Sequence, residues 1–350
     1  MRQHKLFIII FCLCGYMGIQ ETQAQDAVFS QFYNNPVYSN PAFAGVHNGR
    51  FRIVTAFKDQ WNAVSNTKFT TSHLSIDMKE KIGKADFFTY GFSGTNDQTG
   101  NNNYTTNTAG YFAGYLKQLS GSSTGKVSQY LSASFNFNIG KVSIEPYNLW
   151  YSTQFDSQMI QVDRSIQSGE DFRDASKLFP DFSAGLLYYG VNGDNSYYLG
   201  LAAHHLNRPE IALNKATEFR RFRRYSVQAG GQIAISNSTQ ILPSVLFNSQ
   251  GPSMSLAGGL NVRHSNEDWK DIAIRFGTYM SFAKNVNTGM YLPWITTAFN
   301  MEFNNVSLGL SYDLSLSSLG LAVDSRGALE LTVSYAMPAS FIVPIECPVL

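Results

Sequence analysis

Val306-Ser307-Leu308-Gly309-Leu310-Ser311-Tyr312-Asp313-Leu314-Ser315-Leu316 decides the fold. Apolar side chains take every second position, and Ser, Gly, Ser, Asp and Ser fill the places between. A period of two is the mark of a β-strand, whose successive side chains leave by opposite faces. The same pattern recurs where Leu131, Ala133, Phe135, Phe137 and Ile139 interleave with Ser132, Ser134, Asn136 and Asn138. It returns where Leu329, Leu331, Val333 and Tyr335 interleave with Ala328, Glu330, Thr332 and Ser334.

Around these stretches the 350-residue chain carries only 15% charged residues and 14% aromatics, against about 25% charged in an ordinary soluble domain. No apolar run after the first residues is long enough for a membrane helix. The pattern therefore predicts an all-β fold: a transmembrane antiparallel β-barrel, its apolar faces toward lipid and its Ser, Asn, Gly and Thr faces toward a watery lumen. A secreted β-sandwich would alternate in the same way, with the apolar face on a protein core. Export, the absence of cysteine pairs and the number of similar segments favour the barrel.

Candidate strands run from Arg50 to Ala336, including separate segments at Val127 to Asn138 and Val142 to Tyr151. Their count is odd, and bacterial barrels have even strand numbers. Tight turns at Asn304, Ser236 to Thr239, Asn192 to Asn195 and Glu80 to Lys84 share one side, but the parity clashes between Tyr104 and Tyr151. One strand there is misdrawn, so about 14 strands are expected, with 12 or 16 as alternatives. On this parity the connections Ser152 to Pro180 and Asn207 to Arg223 face outside. Trp61, Tyr147, Trp150, Tyr151, Tyr188, Tyr189, Tyr197, Tyr198, Trp269 and Trp294 are expected to form interfacial girdles.

The division is residues 1–24 as a signal peptide, 25–49 as an aromatic, Asn-Pro-rich lead segment, 50–337 as the barrel and 338–350 as a proline-punctuated tail. Arg2 and Lys5, the apolar run Leu6 to Leu13 and Thr22-Gln23-Ala24 have the layout of a cleaved leader. Bulky Phe11 and Leu13 beside Cys14 do not suit a lipoprotein site. The chain's net charge of +1 is carried by the leader through Arg2, Lys5 and Glu21, which leaves a near-neutral mature chain and argues against nucleic acid as a partner. Cys12 and Cys14 leave with it, and Cys347 then has no partner for a disulfide.

No constellation for catalysis, metal or cofactor stands out, and the chain reads as a non-enzyme. His264-Ser265 are neighbours on a turn, without an evident orienting group. His204-His205 sit at a strand end, where alternation predicts opposite faces. No zinc-like spacing or phosphate loop is present. Arg220, Arg221, Arg223 and Arg224 form a dense basic cluster, readable as an extracellular loop for anionic sugars or an acidic protein, or as a plain solvated loop.

The lead segment contains Phe29-Ser30-Gln31-Phe32-Tyr33-Asn34-Asn35-Pro36 and Asn40-Pro41-Ala42-Phe43-Ala44-Gly45. Its prolines forbid a continuous helix or a regular strand. Gln31, Phe32, Tyr33, Asn34, Asn35, Pro36, Asn40, Pro41 and Phe43 are the candidate plug and partner residues, expected in the periplasmic mouth or the lumen, with Gln31, Asn34, Asn35 and Asn40 bonded to lumen polar groups. Simple packing that stabilises the barrel is the competing reading.

Together with Asp59-Gln60-Trp61, Pro180-Asp181-Phe182, Gly185, Gly200, His205-Leu206-Asn207, Pro209, Leu242-Pro243-Ser244, Ser311-Tyr312-Asp313, Ser317-Ser318-Leu319, Glu330-Leu331, Tyr335, Pro344, Cys347 and Pro348, this segment resembles the PorP/SprF family. Those are outer-membrane proteins of the Bacteroidetes type IX secretion system, often associated with gliding motility. Ala328, where a glycine is common, and the terminal Leu350 depart from the pattern. The resemblance implies an outer-membrane barrel, in contact with lipid and type IX components, that supports export or surface anchoring of large adhesin-like cargo. A general porin for small solutes and an outer-membrane lipase are the readings from other classes.

Overall fold

The computed structural model describes residues 26–338 apart from 61–68, 84, 101–103, 122–126, 146–148, 157, 170–174, 214–217, 267–271, 286–288 and 317–326. The predicted leader, the tail from residue 339, and Trp61, Tyr147 and Trp269 lie outside the described residues. Fourteen strands close into a single antiparallel barrel, each paired with its sequence neighbours and the last with the first. They are β1 Gly49–Gln60, β2 Phe69–Ile82, β3 Asp86–Thr99, β4 Tyr104–Gly121, β5 Val127–Ser143, β8 Phe179–Asn192, β9 Asn195–His204, β10 Arg224–Ala234, β11 Thr239–Gln250, β12 Ser253–Ser265, β13 Ile272–Asn285, β14 Gly289–Phe303, β15 Val306–Ser315 and β16 Ala328–Pro338. A two-stranded hairpin, β6 Phe155–Asp156 with β7 Gln161–Val162, sits in the connection before β8; no alternation announces strands so short.

Strand β15 shows how the alternation is used. Ser311 and Asp313 are 2% and 4% exposed, while Leu308 and Leu310 on the opposite face are 39% and 48% exposed. Across the ladder Leu310 pairs with Leu331 and Phe299, so the apolar face continues around the outer wall. Among the described residues no second sheet covers that wall and the strands close on themselves, which removes the sandwich reading.

The parity clash has a local cause. The two segments drawn at Val127 to Asn138 and Val142 to Tyr151 are one strand to Ser143, paired with β4 from Ser128 to Ser143. Gly140, in the gap between the two drawn segments, lies in the ladder opposite Phe179. A Cβ at Gly140 would overlap the Phe179 ring, so the glycine makes room for an inward aromatic rather than ending a strand. The girdle expectation also needs correction. Adjacent residues of a strand must split between the faces: Tyr188 and Tyr197 face each other outside, whereas Tyr189 and Tyr198 are buried inside. Trp294 faces Lys58, which lies 5.9 Å over its ring.

The long connections 144–178 and 205–223 share one end of the barrel, while the turns at 193–194 and 304–305 and the last residue of β16 share the other. Short turns mark the periplasmic end and long loops the external end. Inside, the expectation of Ser, Asn, Gly and Thr faces toward a watery lumen holds for only part of the wall. Phe87, Phe112, Leu116, Tyr130, Leu187, Tyr189, Val191 and Tyr198 point inward from β3, β4, β5, β8 and β9 and pack on Val37, Ala42, Phe43, Ala44 and Val46 of the lead segment. The hydrophobic core of this protein is therefore within the barrel.

Candidate functional site

The lead segment occupies the lumen from the external end to the periplasmic end. Its prolines do not merely break structure. Pro36 opens the short helix α1 Pro36–Ser39, and Pro41 opens the 3-10 turn Pro41–Phe43, the first-turn positions where a missing N–H costs nothing. Between them Asn40 caps the second turn by accepting from the Ala42 N–H at 2.9 Å.

Asp26 starts the path at the external end. Its Oδ2 is 2.6 Å from His205 Nε2 and 3.2 Å from an Arg224 terminal nitrogen, and Arg221 is 3.8 Å from Oδ1. The other ring nitrogen of His205 is 2.7 Å from Asp181 Oδ2. Burial opposes the charge on Asp26, but His205, Arg221 and Arg224 outweigh it and hold this carboxyl well below its ordinary range. Burial likewise opposes the imidazolium of His205, and Asp26 and Asp181 outweigh it and raise its pKa. His204 and His205 thus both turn inward, against the expectation from alternation. His205 leaves the strand in the left-handed region at φ 56, which swings its ring back toward the lumen. The basic cluster is split in the same way: Arg221 and Arg224 hold the lead segment, while Arg220 and Arg223 remain at the surface. Of the four, only Arg220 and Arg223 are solvent-facing as a plain solvated loop would have them.

This latch has a pH window with a worked sign. The lowered pKa of Asp26 gives stability that is present above the ordinary carboxylate value, about 3.9, and is lost as pH falls through its depressed value. The raised pKa of His205 gives stability that is complete below about 6.5 and is lost as pH rises through its raised value. The latch is therefore tightest between roughly pH 4 and 6.5. Thermal unfolding of the purified barrel across pH should show an alkaline decline that His205→Gln removes. An unchanged decline in that variant would assign it to other groups.

Deeper in, three strands grip the next turn. The Ser30 and Gln31 amides donate to the Glu330 carboxylate at 2.6 and 2.9 Å, and the Ser30 hydroxyl donates to Asp313 at 2.7 Å. Lys58 donates to the Ser30 hydroxyl at 2.6 Å and lies 3.1 Å from Asp313. Asn34 donates to Asn300 and Thr332 and accepts from Arg275 at 3.1 Å. Tyr33 stacks on Tyr279 with centroids 4.9 Å apart, and Phe32 meets both rings edge-on. Asn40 donates to the Leu186 and Leu201 carbonyls and to Gln228. At the periplasmic end Gly45 N donates to Asp77, which Arg52 holds with two bonds of 3.0 and 3.1 Å while also donating to the Phe43 and Val46 carbonyls.

All nine candidate plug residues lie in this path, but Asn35 differs from expectation. Its side chain is fully buried at the start of α1 and both its polar atoms are without a partner. Of the wall groups that answer the segment, Arg52, Lys58 and Asp77 were not singled out from sequence, and Asp313 and Glu330 were given no role there. A usable signal existed: Asp181, His205, Asp313 and Glu330 stand within the quoted motifs, and all four bond to the lead segment or, for Asp181, to the histidine that holds it.

Among the described residues, no group of three or more His, Cys, Asp or Glu side chains is placed to hold a metal. His264 Nδ1 is 3.1 Å from the Thr239 hydroxyl, and Ser265 takes its place in the β12–β13 ladder opposite Ala273.

A family model described as "Type IX secretion system membrane protein PorP/SprF" matches residues 21–335. No curated protein matches the chain. Among solved structures, a TodX monoaromatic hydrocarbon channel lacking S2 is similar at 10% identity and a TM-score of 0.47, over 87% of this chain and 94% of that one. The Pseudomonas putida toluene transporter TodX is similar at 11% and 0.43, over 87% and 93%. The translocator domain of the autotransporter NalP from Neisseria meningitidis is similar at 10% and 0.36, over 87% and 94%. Similarity at this level carries no functional argument.

Proposed function

This chain belongs to the PorP/SprF family of type IX secretion system membrane proteins, and we propose that it serves there as a plugged outer-membrane barrel that supports export or surface anchoring of large, adhesin-like cargo of the gliding-motility type. The observation that carries this reading is the lumen threaded from end to end by residues 26–48, most of them buried and several bonded to wall charges. A diffusion porin keeps an aqueous channel, and this arrangement favours a docking role over bulk solute passage. In this reading residues 1–24 are removed on export, the outer wall is solvated by lipid, and the protein performs no hydrolysis.

The test replaces Phe32, Tyr33, Asn34 and Asn35 with alanine in the full chain. The barrel should still reach the outer membrane, display of an adhesin-like cargo should fall, and small solutes should leak. Normal display and permeability with a normal level of barrel would defeat the functional claim, and disappearance of the barrel would leave only a structural role for the segment. His264→Ala with Ser265→Ala, made alongside, should change none of these; loss of a lipid-hydrolysing activity in that variant would overturn the non-enzymatic reading.

A further inference from the structure

The lead segment leaves part of the lumen open near its external end. A chamber of about 230 Å³ remains between Asp26 and Tyr38 on one side and the inner faces of β3, β4 and β5 on the other, beneath Ile211, Phe219 and Phe222 of the connection before β10. One buried water needs only about 10–15 Å³ of such space, so the chamber is far larger than a bridging water requires.

Its chemistry is specific in three respects. The wall is built of hydroxyls and amides, among them Ser93, Thr95, Thr106, Thr108, Asn136 and Asn138. Asp181 Oδ1, Asn136 Oδ1 and His73 Nε2 are buried without a hydrogen-bond partner, while Asp181 and His73 are only 2% and 4% exposed. Native proteins rarely leave such atoms unpaired. Charge is balanced: Asp26, Asp97 and Asp181 face Arg221, Arg224 and a His205 whose two carboxylate partners favour imidazolium. A chamber without net charge gives no preference to an ion. Unpaired acceptors next to an imidazole nitrogen suit groups that both donate and accept, which describes hydroxyls. Tyr38, Tyr104, Phe219 and Phe222 add apolar ring surface beside those polar atoms, as the C–H faces of a sugar require.

We propose that this chamber is a binding site for a neutral polyhydroxylated ligand, one or two sugar units, entering from the external end. Asn136 and Asp181 accept from its hydroxyls, His73 supplies a further polar contact, and the aromatic residues cover its apolar faces. The saccharide could be free or the head of an outer-leaflet glycolipid, and the chemistry of recognition is the same.

The experiment uses the purified full-length barrel in detergent, titrated with glucose, galactose, N-acetylglucosamine and maltose, then with digalactosylglycerol, the uncharged head of a glycolipid, and finally with ethylamine and acetate as charged probes. Saturable binding of at least one saccharide is expected. It should weaken about tenfold in Asn136→Leu, the loss of one well-placed hydrogen bond, and vanish in Thr106→Trp, which fills the chamber from β4. Tighter binding of digalactosylglycerol at the same site would identify a lipid-borne source, and binding of the small sugars alone a free one. The proposal fails if no saccharide saturates at about 10 mM, well above a millimolar Kd, if ethylamine or acetate binds in preference, or if binding survives in both variants while each barrel remains folded.

Discussion

Asp77→Ala should destabilise the barrel by about 3–5 kcal/mol, the cost of removing one member of a buried ion pair and leaving the other charged. Arg52 and Asp77 sit side by side on β1 and β2 with two hydrogen bonds between them, and the Asp77 side chain is fully buried. The loss extends beyond the pair. Gly45 N gives up its acceptor, and Arg52, which also donates to the Phe43 and Val46 carbonyls, is left without its counter-charge. The periplasmic end of the plug should therefore loosen together with the wall. Denaturant unfolding in lipid measures the first effect, and protease access to residues 43–48 the second. Replacing both partners, as Arg52→Leu with Asp77→Leu, should recover much of the wall's stability, because the uncompensated charge is gone. It should not restore the plug contacts, since leucine offers no donor to those carbonyls. An Asp77→Ala barrel that unfolds within about 1 kcal/mol of the parent would show that the pair is not buried as described.

The barrel was legible because period two is imposed on the sequence by the demand that lipid and lumen face opposite sides of every strand. Leu308, Leu310 and Ser311 declare their faces without reference to anything distant. The false break between Asn138 and Val142 falls at Gly140, whose place in the strand makes sense only once the Phe179 ring of β8 is beside it. The inward charges were harder to read. On a strand's polar face a lysine beside serines suits water as well as it suits a buried carboxylate, and Lys58 meets Asp313 only when β1 closes against β16 beside β15. The grip on Ser30 by Glu330 joins residues 300 positions apart. His205 was misassigned because its left-handed backbone conformation overrides alternation, and nothing in the residue type announces it. The lead segment was readable as irregular and protein-seeking from its prolines and aromatics, but its course depends on the wall groups that receive it.

The second large effect is a wedge placed behind the plug. Gly185 lies on the inner face of β8 where a Cβ would overlap Asn40 Oδ1 and come within 3.1 Å of Ala42 N. Asn40 is the hub of the central turn, with its amide donating to three wall oxygens and its oxygen capping Ala42. Gly185→Ala should push this hub off the wall while leaving the outer face and the strand ladder as they are. Overpacking of this kind costs about 1–3 kcal/mol, which corresponds to a roughly 5- to 150-fold rise in the fraction of barrels with a displaced plug. Planar-bilayer recording should register this as frequent open events against a quiet parent. Gly94→Ala is the control, since a Cβ there meets nothing nearer than the Thr108 carbonyl at 3.7 Å. The mechanism makes a further demand. If the clash is with the Asn40 side chain, Asn40→Ala should conduct by itself through loss of its bonds, and adding Gly185→Ala should raise conductance much less than it does in the parent, because contacting residues couple. Equal conductance in Gly185→Ala and Gly94→Ala, or full additivity with Asn40→Ala, would mean that the plug is not seated on β8 through Asn40.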